Sequence, residues 1–240
     1  MNTFPQPRNC GEVVAINVDV QNDFALPTGA LAVEGGEAVI APLNVTSEFV
    51  RRHDGFVIDT SDQHDPRTAH FAINGGPWPI HCIKNRAGAA IHNDLEILPN
   101  DSMAHKGLSL VDDGYSGLEA LIQDGKAKNL VAELPADQQT VEAALVRIAE
   151  VNKDLGKRTA ILIGGLATDY CVKATVLDTL RATDRAWVDV IAIEDAMRAV
   201  NLAYDDGANA IAAMKAEGAI FMQSYDIIEG GILVDRRGER

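Results

Sequence analysis

Short apolar runs alternate along the chain with stretches in which apolar residues recur every three or four positions. The run Val13, Val14, Ala15, Ile16, Asn17, Val18 predicts a buried strand, with Asp19 directly after it. A helix is predicted over 37–52, following Gly35 and Gly36. Phe56, Val57 and Ile58 open a second strand that runs toward Asp62, and a third strand is predicted over 102–106. Further on, the pattern predicts a strand over 159–164, a helix over 169–180 and a strand over 188–193. A helix over 204–217, stopped by Gly218, and a short strand over 219–222 complete the series. Strand and helix in alternation predict an α/β fold with a mainly parallel sheet covered on both faces, read here as one domain over 1–240.

Two stretches break this rhythm. Residues 62–95 are rich in Pro, Gly and His and show no period. A loop that long is functional or disordered, and its aromatic and apolar content argues against disorder. In 125–155, Pro135 is followed by apolar residues at helical spacing: Val141, Ala144, Leu145, Ile148, Val151 and Leu155. This segment is read as an insertion carrying an extra surface helix, a candidate contact in a homo-oligomer.

Composition narrows the function classes. Apolar residues make up 47% of the 240 residues, enough for a core and too many for a disordered chain. The net charge of −14 argues against binding nucleic acid through its phosphates and against anionic membrane surfaces. No apolar run is long enough to span a bilayer, and the first residues lack the pattern of a signal peptide. Three cysteines, at 10, 82 and 171, are odd in number and widely spread. That is not a disulfide framework, so a reducing cytoplasm is expected.

Parallel sheets gather their chemistry at the C-terminal ends of strands. Asp19, Asp62 and Lys106 each stand at such an end, and Cys171 lies just past the 159–164 strand in the first turn of a predicted helix. Thr168 or Asp169 can cap that helix. A helix N-terminus beside a lysine predicts a Cys171 thiol that titrates below the roughly 8.5 of a free cysteine. The long loop carries His64, His70 and His81 close behind Asp62, a donor set that suits zinc, iron(II) or manganese(II). Phe24, Trp78 and Tyr115 are candidates for a pocket wall. Each residue also has a plain structural reading: a core cysteine, a solvated lysine, a turn-capping aspartate, surface histidines and core aromatics.

The segments VDVQNDF (18–24), DQH (62–64), WPIHC (78–82), KG (106–107), YSGLE (115–119) and GLATDYCV (165–172) together resemble the nicotinamidases and pyrazinamidases, members of the isochorismatase-like cysteine hydrolases. The resemblance runs from about residue 12 to 222, with the motifs in the family's order. It implies a three-layer α/β/α sandwich around a mainly parallel sheet. It implies a catalytic triad of Asp19, Lys106 and Cys171, and an oxyanion hole from the backbone N–H groups of Ala167 and Cys171 with a cis peptide between Leu166 and Ala167. It further implies one divalent transition metal, zinc foremost, on Asp62, His64 and His81, with His70 as an additional ligand. Phe24, Trp78, Tyr115 and Leu166 are the implied substrate contacts.

The activity so implied is hydrolysis of nicotinamide to nicotinate and ammonia through a cysteine thioester, with the metal holding the pyridine nitrogen. Three departures stand against the family pattern: Gln63 between the first two ligands, the 84–88 segment after WPIHC, and the long gap between Tyr115 and Cys171. They leave two alternatives, a related cysteine hydrolase acting on another heteroaromatic carboxamide, and a non-catalytic α/β protein holding a structural metal. No nucleic-acid or membrane partner is expected.

Overall fold

The computed structural model describes residues 10–111 and 114–230. Residues 1–9, which carry most of the stretch read against a signal peptide, lie outside the described residues. Seven strands form one sheet: β1 (Cys10–Val18), β2 (Phe56–Asp62), β3 (Ser102–Lys106), β4 (Leu121–Ile122), β5 (Arg158–Leu166), β6 (Val188–Arg198) and β7 (Ile220–Met222). Their order is β4-β3-β2-β1-β5-β6-β7. Every pairing is parallel except that of β3 with β4. The short antiparallel β4 has no counterpart in the pattern reading, because two residues are too few to show a period.

Strand periodicity divides the core in two. Val14, Ile16 and Val18 of β1 face one side, with Ile161 and Ile163 of β5 and Val190 and Ala192 of β6. That side is covered by α3 (Gly125–Val131), α4 (Val141–Asp154), α5 (Lys173–Ala182) and α6 (Asp206–Ala216). Val13 and Ala15 face the other side, with Ala160, Leu162, Ile191 and Ile193. There the cover comes from α2 (Ile40–Arg52) and α7 (Ser224–Gly230), while a short α1 (Asn22–Ala25) follows β1. The expected three-layer arrangement is present.

In the 125–155 segment, read as an insertion with a surface helix, α4 packs one face into the α-layer. Val141, Ala144, Leu145 and Ile148 are buried in the core, and only Val151 and Leu155 of the apolar series are exposed. Burying each large side chain contributes roughly 1.5–3 kcal/mol, and the helix packs over β5 and β1, with α3 beside it over β2 and β3. Thr140 caps it by accepting a hydrogen bond from the Ala143 N–H.

The chain builds outward from β1 to β3, then returns to place β5 on β1's free edge. The order of strands therefore reverses between β1 and β5, where parallel sheets open a crevice. Gly165 makes the close approach possible: a Cβ there would sit 2.1 Å from the Val18 carbonyl oxygen, and its φ is +126°.

Candidate active site

Asp19 leaves β1 in a left-handed conformation, with φ of 49°. This turn aims its carboxylate across the strand ends. Thr60 donates its hydroxyl to Asp19 Oδ1 at 2.7 Å. Lys106, the last residue of β3, is fully buried at its side chain and reaches 2.8 Å from Asp19 Oδ2, 2.7 Å from Asp62 Oδ1, 2.7 Å from the Gly114 carbonyl oxygen and 3.5 Å from Cys171 Sγ. The expected triad residues are thus gathered around one ammonium group, with Asp62 as a fourth member. Burial alone disfavours a charged lysine, but Asp19, Asp62 and Cys171 outweigh it and hold the Lys106 pKa well above its ordinary value.

Cys171 lies in a wide π-helical turn, Thr168–Val172, that precedes α5. Leu166 and Ala167 are joined by a cis peptide bond, as the resemblance implied. Tyr170 and Val172 both donate N–H groups to the Ala167 carbonyl at 3.1 Å, which closes the turn around the cysteine. The thiol does not follow the expected titration. Burial pushes its pKa well above the ordinary value, and the charges of Asp19 and Asp62 and the hydrogen bond to Asp19 add to the rise; Lys106 opposes them without prevailing. Asp19 is itself raised, first by burial, against the pull of Lys106.

The capping role foreseen for Thr168 or Asp169 is also replaced. Asp169 spans to the opposite loop, where its two carboxylate oxygens accept the N–H groups of Val200 at 3.0 Å and Asn201 at 2.8 Å. This clamp ties the Cys171 turn to the segment before α6.

His64, His70 and His81 are buried, and their ring nitrogens converge within 4.8 Å of one another. His64 Nδ1 donates to the Gly107 carbonyl at 3.1 Å and His81 Nδ1 to the Pro79 carbonyl at 2.8 Å. Those bonds fix the tautomer in both rings and leave Nε2 with a lone pair, the second-sphere pattern of metal-binding histidines. His64 Nε2 is buried without a hydrogen-bond partner and stands 3.5 Å from Asp62 Oδ2. Burial lowers the His81 pKa to about 4, so the ring is neutral and ligand-ready at neutral pH. An orphaned imidazole nitrogen facing a carboxylate and two further histidines fits a divalent cation.

Asp62 has a strongly lowered pKa: burial would raise it, but Lys106 and His64 together pull it down. Gly107 completes the cradle. With φ of 66°, it lies so close that a Cβ would meet His64 at 2.6 Å and Asp62 Oδ1 at 3.1 Å.

These groups border a small cavity lined by Phe24, Leu31, Asp62, His70, Trp78, His81, Tyr115, Ala167, Tyr170, Cys171 and Val200. Trp78 donates its indole N–H to the Tyr115 hydroxyl at 2.9 Å and meets the Tyr170 ring edge-on at 4.8 Å between centroids. Phe24 packs 5.4 Å from the His81 ring. Of the four implied substrate contacts, Phe24, Trp78 and Tyr115 line the cavity; the Leu166 side chain does not, because it packs into the core on the α2 side of the sheet. Leu31, Tyr170 and Val200 were not foreseen. Tyr170 stands inside GLATDYCV, so the motif could have offered it; Leu31 and Val200 carry no local signal. The departing 84–88 segment stays off the cavity wall and docks on α1, where Gly88 lies against the Asp23 carboxylate.

Known proteins resemble this chain over most of its length. Residues 13–132 match the isochorismatase domain. The chain is 32% identical to the nicotinamidase of Escherichia coli (strain K12) over 217 residues, covering 84% of this chain and 90% of that protein. Among solved structures it resembles PnC1 from L. infantum in complex with nicotinate, with a TM-score of 0.68, 27% identity and coverage of 93% of this chain and 98% of that one. The pyrazinamidase of Pyrococcus horikoshii in complex with zinc gives a TM-score of 0.66 at 26% identity, covering 89% and 99%. With a buried Cys–Lys–Asp set at the β1/β5 crevice and this degree of likeness, the chain belongs to the isochorismatase family.

Proposed function

We propose that the protein is a nicotinamidase, hydrolysing nicotinamide to nicotinate and ammonia. The observation that carries this reading is Lys106 Nζ within 2.7–3.5 Å of Asp19, Asp62 and Cys171 at the floor of an aromatic-walled cavity. A binding protein needs no such charged cluster buried beside a thiol. The likeness to curated nicotinamidases over most of the chain supports the substrate.

In this reading Cys171 Sγ attacks the carboxamide carbon while Asp19 takes the thiol proton. The new oxyanion is held by the N–H groups of Ala167 and Cys171. Asp19 passes its proton to the leaving nitrogen, ammonia departs, and a thioester remains on Cys171. Asp19 then deprotonates a water, whose oxygen adds to the thioester carbon; the C–S bond breaks, nicotinate leaves and the thiol is restored. Lys106 offsets the negative charge that passes between sulfur and carboxylate.

Asp62, His64 and His81 are the proposed metal ligands, with His70 as the fourth. When bound, the metal supplies a Lewis-acid anchor for the pyridine nitrogen. Zinc is the proposed ion, on the donor set and on the zinc complex of the Pyrococcus horikoshii pyrazinamidase. Phe24, Trp78, Tyr115, Tyr170 and Val200 would enclose the ring. The reading further places one catalytic domain in the cytoplasm, as a homo-oligomer.

The test is ammonia release from nicotinamide, pyrazinamide and substituted carboxamides, before and after chelation, with acid quench and mass spectrometry of Cys171. Release from nicotinamide with a nicotinoyl adduct on Cys171 supports the reading. Turnover with no adduct under any quench condition overturns the cysteine route, and preference for another carboxamide overturns the substrate.

A further inference from the structure

Gln21 is buried beside the site and belongs to none of the sets above. Its side-chain amide makes three hydrogen bonds, each 2.8 Å long. Nε2 donates to the carbonyl oxygens of Asp62 and Ala89, and Oε1 accepts the N–H of Asp62. The amide thus pairs with both backbone groups of one residue, much as a neighbouring strand would. Its orientation follows from the partners, since a flipped amide would set its oxygen against two carbonyls.

The residue so gripped serves both halves of the site. Asp62 ends β2, gives Oδ1 to Lys106 at 2.7 Å and faces His64 Nε2 with Oδ2 at 3.5 Å. Its two oxygens thus serve different neighbours, Lys106 on the triad side and His64 on the loop side. The β-ladder with β1 ends before Asp62, the last paired residues being Asn17 and Asp59. Gln21 continues that pairing through its side chain after the β1 backbone has turned away at Asp19. The second Nε2 bond reaches Ala89, in the segment that returns from the histidine loop.

We infer that Gln21 is a positioning residue that holds Asp62 in place before any metal binds, so that one amide sets both the metal ligand and the ion pair with Lys106. This deepens the proposed function and rests on its assignment of Asp62. Only an amide of this length meets the requirement. Glutamate keeps the acceptor but loses both donors; methionine keeps the volume and loses all three bonds.

The experiment has two arms on the full-length protein. Zinc affinity, by competition with a chelator, and the rate of Cys171 alkylation by iodoacetamide are measured for wild type, Gln21→Met, Gln21→Glu and His81→Ala. Gln21→Met and Gln21→Glu should each weaken zinc by about 10- to 100-fold and also change the alkylation rate of chelator-treated protein, whereas His81→Ala should weaken zinc with that metal-free alkylation rate unchanged. Wild-type zinc affinity and alkylation in Gln21→Met would overturn the inference, since packing alone would then explain the residue. The second arm needs no variant, no zinc and no turnover: hydrogen exchange at the Asp62 amide in chelator-treated wild type. A protected amide supports the inference; an amide that exchanges freely until zinc is added overturns it, while leaving the assignment of nicotinamide hydrolysis to stand or fall on ammonia release.

Discussion

Asp62 Oδ1 accepts a hydrogen bond from Lys106 Nζ at 2.7 Å, and that contact joins the metal cradle to the triad as one buried electrostatic unit. Three acidic or thiol groups share one cation, all removed from water. The arrangement tolerates no loss of its cation. Lys106→Met should destabilise the fold by about 3–5 kcal/mol, because it strands Asp19 and Asp62 as uncompensated buried charges. Urea unfolding at neutral pH measures the loss, and part of it should return as the pH is lowered and one carboxylate is protonated.

Replacing the nucleophile should separate chemistry from folding. Cys171→Ala is expected to lower kcat by at least about a thousandfold, roughly 4 kcal/mol of transition-state stabilisation, with a nearly unchanged unfolding midpoint. Ammonia release and urea unfolding on the same preparation check both halves. A tenth of the wild-type rate remaining would exclude Cys171 as the nucleophile.

The free thiol should titrate high. In chelator-treated protein the iodoacetamide rate at Cys171 is expected to rise with pH to a midpoint above the roughly 8.5 of an ordinary cysteine, because burial and two carboxylates raise it. Zinc on Asp62 would neutralise part of that negative field, so reloading should move the midpoint down. A midpoint below the ordinary value without metal would show that Lys106 prevails.

Asp59 gives a pH signature away from the catalytic groups. It is buried in β2, takes one hydrogen bond from Asn17 Nδ2 at 2.8 Å, and is pushed up to about 7, chiefly by burial. An unfolded chain ionises near 3.9, so the folded state binds the extra proton between the two values. Stability from this group is therefore full below about 4 and is lost as the pH rises through about 7. Asp59→Asn should flatten that decline, raising Tm relative to wild type more at pH 8 than at pH 5, as read by thermal unfolding across the range.

Gly107→Ala tests the cradle. A methyl group at this position meets His64 and Asp62, and the left-handed backbone adds about 1–2 kcal/mol of strain. Weaker zinc binding in the chelator competition and a lower Tm are expected together. Unaltered zinc affinity would mean that His64 takes no part in binding the ion.

The residues that declared themselves in sequence are those at strand exits. Asp19, Lys106 and Cys171 could be read because a parallel sheet brings the C-terminal ends of β1, β3 and β5 to one edge, whatever the loops do. Leu31 and Val200 could not. Leu31 sits where Asp23 accepts its N–H through the backbone carbonyl, and Val200 where Asp169 accepts its N–H, so their places depend on partners elsewhere in the fold. The apolar spacing of the 125–155 helix states that one face is buried and not against what. The thiol was misjudged. Position at a helix start counts only the local dipole, while burial and the carboxylates of Asp19 and Asp62 come from tertiary structure.

The pairing of β1 with β5 also dictates an order of assembly. As the chain is synthesised, β1, β2 and β3 can zip together while β1's other edge, with Val13 to Val18, still lacks its neighbour. Asp19, Asp62, Lys106 and the three histidines are all in hand at that stage; the thiol arrives only with the segment after β5. A nascent or truncated chain that ends before Arg158 would thus carry an open apolar strand edge, prone to pairing with other chains, and a charged cluster with nothing to activate. Reactivity is withheld until the sheet is closed, so a premature fragment would be an aggregation hazard without becoming a stray nucleophile.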